Sequence, residues 1–309
     1  MRKIALLFAL LATALACLLP ASPAQAQIRA FVAQTGNDAN PCTFASPCKS
    51  AQHAHDVVAA GGEIRMLDPG GYGLLTITKS ITIEGGGQGE LATTAFTAAV
   101  TVNANASDKI TIRGVVIEGF FSGQDGIRFN TGGSLSIQDC LIHLFTGNGI
   151  KFTPSASSTL AVSNTVISDN DTTGVFIQPG IGGNALAAFD RVDISNNRTR
   201  GLDVFGNINA SVNVTISDST VASNAQYGVG STSSLGASAV MVKSSAIANN
   251  GIGLLAFAPA AILRVTRSTI TGNTTGFSTQ AGGTLVSLND NTLEGNGTAG
   301  TATTTLGYH

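Results

Sequence analysis

Arg128 and Lys151 stand in matching places, 23 residues apart, in Gly126-Ile127-Arg128 and Gly149-Ile150-Lys151. A guanidinium grips a carboxylate through two parallel hydrogen bonds. An amine held close to another cation is disfavoured in its protonated form, which suits it to accept a proton. One chemistry such a pair can serve is β-elimination on a uronic acid, which needs a base for the C5 proton and cations for the carboxylate. On this reading Lys151 is the base and Arg128 the carboxylate clamp. Asp125 orients Arg128, Phe176 stacks on a sugar ring and Asp203 bonds sugar hydroxyls. The competing reading is a solvated face on which Arg128 pairs with Asp125, since most surface charges have no chemical role.

Other candidates are weaker. Glu118 and His143 follow matching apolar positions, so they form either an acid–base pair or the commoner surface ion pair. His53 and His55 are two apart on an expected helix and face different ways, which does not suit one metal. Asp169 and Asp171 flank Asn170 and read as corner residues. Calcium takes six to eight oxygens, but the column of Arg128 and Lys151 offers only Asp203, so no cofactor is expected. An inverting hydrolase needs two carboxylates about 6.5–9.5 Å apart, and that column supplies no such pair.

These residues are positioned by a repeat with the frame apolar-x-apolar-x-polar-x-x-apolar-x-x-Asn, then Gly-apolar. One apolar column reads Ile112, Ile137, Val162, Phe189, Ile216, Val242, Val265 and Leu288. Another reads Ile117, Ile142, Ile167, Ile194, Val221, Ile247, Ile270 and Leu293. Glycines recur at 126, 149, 174, 201, 228, 253 and 276, and asparagines at 170, 197, 224, 250, 273 and 296. Phe120 and Phe145 hold the asparagine place in the two preceding turns. Alternation at period two gives each strand one inward face, and a turn of 23 to 27 residues is too short for a βαβ unit. Wound as a coil, each strand pairs in parallel with its copy one turn on, about 4.8 Å up the axis. Stacked asparagines can then bond one another. A leucine-rich repeat overlaps in length, but these columns are β-branched rather than Leu-dominated. Outward residues after the glycines form the column Thr101, Arg128, Lys151, Phe176, Asp203, Gly230, Leu255 and Ser278.

The repeat resembles that of right-handed parallel β-helix proteins of the pectate-lyase-like (pectin lyase fold) superfamily, over about residues 61 to 300. The resemblance implies an all-β solenoid whose substrate, a polysaccharide, lies across several coils on the outer face of one sheet. In lyases of this kind an Arg or Lys acts as the base. The chain departs from the family's calcium site and lacks the paired Asp, Gly-His-Gly and Arg-x-Lys stretches of its hydrolases. Its corners, such as 130–134 and 278–284, are too short to wall a deep cleft. A non-catalytic structural or adhesive surface module is therefore the alternative.

The ends complete the reading. Arg2 and Lys3, the apolar run from Ile4 to Leu19 and Ala24-Gln25-Ala26 read as a secretory signal peptide over residues 1–26. Its removal leaves 14 basic against 18 acidic residues, a net charge of −4, so a nucleic-acid partner is not expected. Neither is a membrane span in the mature chain, and a monomer is expected. In an oxidising compartment Cys42 and Cys48 form a disulfide across a short loop, and Cys140 is a buried small side chain. Residues 27–62 are expected to hold the disulfide loop and a capping helix with Ser46 as its cap, Pro47 at its first position and Gly61 at its end. Residues 63–309 are expected to form the β-helix.

Overall fold

The strands are short, and their apolar residues alternate, so each strand has one face to bury. The computed structural model describes residues 27–307; the expected signal peptide, residues 1–26, lies outside the described residues. The chain winds as a right-handed parallel β-solenoid of about nine turns. One sheet takes a strand from each turn: Leu75–Ile77, Ala98–Asn103, Asp125–Thr131, Ile150–Phe152, Thr173–Ile177, Arg200–Gly206, Tyr227–Ser233, Ile252–Phe257 and Thr275–Gln280. The other two faces run as single strands at Ile81–Ala92 and Lys109–Glu118. From Ser134–Gln138 and Leu141–His143 onward they are separated by a two-residue corner. Every pairing between turns is parallel and in step with the sequence columns; Ile117, Ile142, Ile167, Ile194, Val221, Ile247, Ile270 and Leu293 stack in order.

One column position departs from this. Val265 pairs with Ser287 rather than Leu288. The last corner, 289–291, is one residue longer than the two-residue corners before it, and Asn291 bonds backwards to Leu288 and to Val265 of the previous turn. Thr304–Leu306 then adds a final strand beside Thr284–Leu288.

Asparagine side chains hold the corner before the glycines. Nδ2 of Asn170 donates to Oδ1 of Asn197 at 2.9 Å, and the chain continues through Asn224, Asn250, Asn273 and Asn296 at 2.9–3.0 Å. Each acceptor oxygen also takes the backbone N–H of the preceding rung's asparagine. These side chains are buried, Asn170 to Asn273 being at most 3% exposed. The glycine column exists to admit them: a Cβ on Gly174 would stand 2.8 Å from Asn197 Nδ2 and 2.9 Å from the Gly201 carbonyl oxygen. A second ladder runs along the two-residue corner. The backbone N–H groups of Val192, Ser219 and Ser245 donate to Oγ of Ser219, Ser245 and Ser268 respectively at 3.1–3.2 Å. Each Ser Oγ donates in turn to the carbonyl two residues back. Both ladders satisfy backbone groups that burial would otherwise strand.

The N-terminal end differs from expectation in its helix. The helix α1 spans Ala51–Val57, and its cap is Ser50, whose Oγ accepts from the His53 N–H at 3.2 Å. Ser46 and Pro47 do not start it, because the neighbouring backbone is already committed. Cys48 exchanges hydrogen bonds with Phe31 and Ala33, and the Pro47 carbonyl accepts from Asn37 and Asn40. The helix ends at Val58, where the chain enters the strand Val58–Met66, so Gly61 lies inside that strand. A strand that the sequence reading does not anticipate, β1 (Gln27–Val32), pairs in parallel with Val58–Met66. The helix packs against β1, Val58–Met66 and Leu75–Ile77. Cys42 and Cys48 form the expected disulfide, and Cys140 is a buried free thiol pushed up to about 11 by burial.

Candidate functional site

The outward column on the nine-stranded sheet is assembled as the spacing predicts. Thr101, Arg128, Lys151, Phe176, Asp203, Gly230, Leu255 and Ser278 are Cα partners in sequence. Arg128 and Lys151 are therefore one rung apart, about 4.8 Å.

Asp125 lies three residues before Arg128 on the same strand and is 1% exposed. Its Oδ2 accepts from Nε and Nη2 of Arg128 at 2.9 and 2.6 Å, and Gln124 Oε1 accepts from Nη2 at 2.6 Å. Its Oδ1 accepts from the backbone and side-chain amides of Asn148 on the next turn. The buried carboxylate is thus tied from both sides, to the Arg128 guanidinium and to Asn148. Nη1 of Arg128 makes no hydrogen bond among the described residues. Lys151 is half-buried, and its Nζ makes neither a hydrogen bond nor an ion pair among the described residues. Phe176, the next rung, is partly exposed.

Asp203 is placed differently. It is 2% exposed, its Oδ2 is held by Nη1 of Arg200 at 2.8 Å, and its Oδ1 has no hydrogen-bond partner among the described residues. Burial holds its carboxyl above the usual range, opposed by the Arg200 charge. Tyr227, from the next turn, lies beside it under the Arg200 guanidinium, 5.4 Å from its ring centroid. The ring covers Gly230, where a Cβ would stand 2.5 Å from it. Burial and the neighbouring Asp203 push the Tyr227 phenol upward. This end of the column is closed, and the open stretch covers Arg128, Lys151 and Phe176. Sequence reasoning missed Arg200 and Tyr227. The signal was present: Asp125-Gly-Ile-Arg128 and Arg200-Gly-Leu-Asp203 are the same motif with its charges exchanged.

Calcium does not fit this face. Its two carboxylates lie three rungs apart, about 14 Å, and each is held by its own arginine. Elsewhere, Cys42, Cys48 and His53 converge, but both sulfurs are spent in the disulfide. His143 pairs with Glu118 across adjacent turns, with Nε2 and Oε2 4.0 Å apart, beyond hydrogen-bond reach. Burial and the Glu118 charge raise the carboxyl of Glu90 nearby, a residue that sequence reasoning did not single out. A shallow groove of about 510 Å³ lies on another face, lined by Ala161, Leu186, Ala188, Thr215, Met241 and Arg264, with no acid–base pair. No helix among the described residues is long and apolar enough to cross a membrane.

A winding of this handedness, with parallel in-step coils and ladders inside its corners, defines the β-helix class. The chain belongs to the right handed beta helix region family, whose model matches residues 70–234 and 155–307. Among solved structures it is similar to that of pectate lyase Pel9A, with a TM-score of 0.67 and 16% identity over 90% of this chain and 78% of that one. At that identity the likeness is one of fold. A rhamnogalacturonan lyase structure aligns more loosely, with a TM-score of 0.39 and 13% identity over 85% of this chain and 74% of that one. No curated protein sequence gives a significant match.

Proposed function

We propose that the chain is an exported protein that binds an acidic polysaccharide along the open stretch of the nine-stranded sheet and cleaves it by β-elimination. The observation that carries this reading is the Lys151 amine, unpaired among the described residues, one rung from a guanidinium that buried Asp125 holds in place. Arg128, with Nη1 uncommitted, attracts the uronate carboxylate, and Phe176 offers its ring to a neighbouring sugar. Lys151 Nζ takes the C5 proton. The electron pair forms the C4–C5 double bond, the C4–O bond breaks, and the departing sugar oxygen takes a proton from water. General-base catalysis of this kind contributes typically 10²- to 10⁴-fold. Export is supported by the leader pattern of residues 1–26 and by the Cys42–Cys48 disulfide, which belongs in an oxidising compartment.

The test is ultraviolet absorbance from unsaturated products when the mature chain meets a panel of uronic-acid polysaccharides, with and without calcium. The expected result is a rise on one substrate that falls at least about 100-fold in Lys151→Ala. A flat trace from folded wild type overturns the cleavage. The second reading, a non-catalytic structural or adhesive module, is favoured by the engagement of Arg128 with Asp125 and Gln124. Unchanged activity and binding in both Arg128→Ala and Lys151→Ala would overturn the site.

A further inference from the structure

The corner before the nine-stranded sheet is not uniform. Five residues separate His143 from Gly149, and five separate Ser168 from Gly174, but seven separate Glu118 from Gly126. The long corner carries Phe120 and Phe121, 46% and 63% exposed, and the corner one turn earlier carries Phe96, 70% exposed. Phe120 occupies the place that Phe145 and the asparagines fill, yet Phe145 is buried and donates its N–H to Asn170 Oδ1. Phe120 and Phe121 also sit consecutively in the left-handed region, at φ 49° and 53°. Later corners use one such residue each, among them Asp169, Asn196, Ser223 and Asn249. Bulky side chains are disfavoured in that conformation, and here the strain is not offset by burial.

This corner is joined to the candidate site. The Gln124 N–H donates to the Thr97 carbonyl at 2.8 Å, linking the two phenylalanine-bearing corners, and Gln124 Oε1 accepts from Arg128 Nη2 at 2.6 Å. We propose that Phe96, Phe120 and Phe121 form a stacking wall for the C–H face of a sugar ring, at the edge of the Arg128–Lys151 stretch. The inference rests on the polysaccharide reading and deepens it. A pyranose has an apolar face and polar edges, so it needs an aromatic surface beside hydrogen-bonding and charged groups, and this corner offers both. Three partly exposed phenylalanines present roughly 300–400 Å², well below the ~800 Å² per partner of a stable protein interface. The area suits a small ring rather than a second protein.

The test is affinity electrophoresis of the mature chain through gels containing polygalacturonate, alginate or neutral galactan at several salt concentrations. The variants are Phe120→Ala/Phe121→Ala, Phe96→Ala and Arg128→Ala, each checked for an unchanged melting temperature. The double variant is expected to lose about tenfold in affinity with its salt dependence intact; Arg128→Ala is expected to flatten the salt dependence. Wild-type affinity in both phenylalanine variants overturns the wall and leaves the acidic-polysaccharide reading standing. Equal binding of galactan and polygalacturonate, lost in the double variant, keeps the wall and overturns the acidic preference. No binding by wild type on any gel overturns both. A wild-type dimer that the double variant abolishes makes the corner a self-association face and overturns the proposal.

Discussion

The turns after Phe145 and the turns before it share one winding but solve different problems. From Asn170 onward each corner carries a small residue in the left-handed region (Asp169, Asn196, Ser223, Asn249, Gly272 and Gly295), followed by a ladder asparagine. Serines close the opposite corner from Ser219 to Ser268. Here the polar side chains are turned inward, and their work is to satisfy backbone groups. Before Phe145 the asparagine ladder is absent among the described residues, the corners lengthen, and aromatic and charged side chains face outward at Phe96, Phe120, Phe121 and Arg128, with Lys151 on the strand that follows Phe145. Both copies of the Asp/Arg motif bury the carboxylate beneath a partly exposed guanidinium, but the outward column holds the arginine in one copy, Arg128, and the buried acid in the other, Asp203. A repeat that spends its corners on its own stability leaves few side chains free to face outward, so the open polar and aromatic groups fall where the repeat is broken.

That contrast can be broken at its strongest point by Asn224→Leu. Asn224 accepts from the backbone and side chain of Asn197 and donates to Asn250 and to the Ile194 carbonyl. Stranding these buried partners should cost about 3–5 kcal/mol, read as a shift in the denaturant midpoint at unchanged m-value. Gly174→Ala should cost about 2–3 kcal/mol, since its Cβ meets Asn197 Nδ2 and the Gly201 carbonyl; a neutral result would show that the ladder tolerates displacement. Ser245→Ala, which removes one acceptor from the Ser219 N–H, should cost about 1–2 kcal/mol.

The smallest effect tests the sealed Asp203. Its carboxyl is raised in the fold, chiefly by burial, so the folded state holds that proton more tightly than the unfolded chain. The stability this contributes is present below the unfolded carboxyl value and is lost as pH rises through the window up to the folded one. Asp203→Asn should therefore gain on wild type across that window, seen as melting-temperature differences that grow from acid toward neutral pH. A constant difference would mean that Arg200 fully compensates the burial.

The open column was legible because strand period and coil length together set which residues stack. Arg128 beside Lys151 follows from two glycines and a parallel register, and Asp125 gripping Arg128 follows from their spacing. The burial of Asp203 was not legible in the same way. It depends on Tyr227, 24 residues further along, folding back over Gly230. Nor could the helix cap be read locally, because Pro47 and Cys48 had already been taken by backbone bonds to strand β1 and its loop.

By itself, the sequence determined the winding, the order of its columns up to the last turn and the identity of its asparagine ladder. Each rung repeats the one below, so burying the β-branched columns leaves a single register that keeps them all inside. Only the tertiary structure decided which charges stay open, which aromatic turns in at Phe145 and which turns out at Phe120. Those outcomes depend on the space left by the neighbouring turns, about 25 residues away in sequence but about 4.8 Å away along the axis.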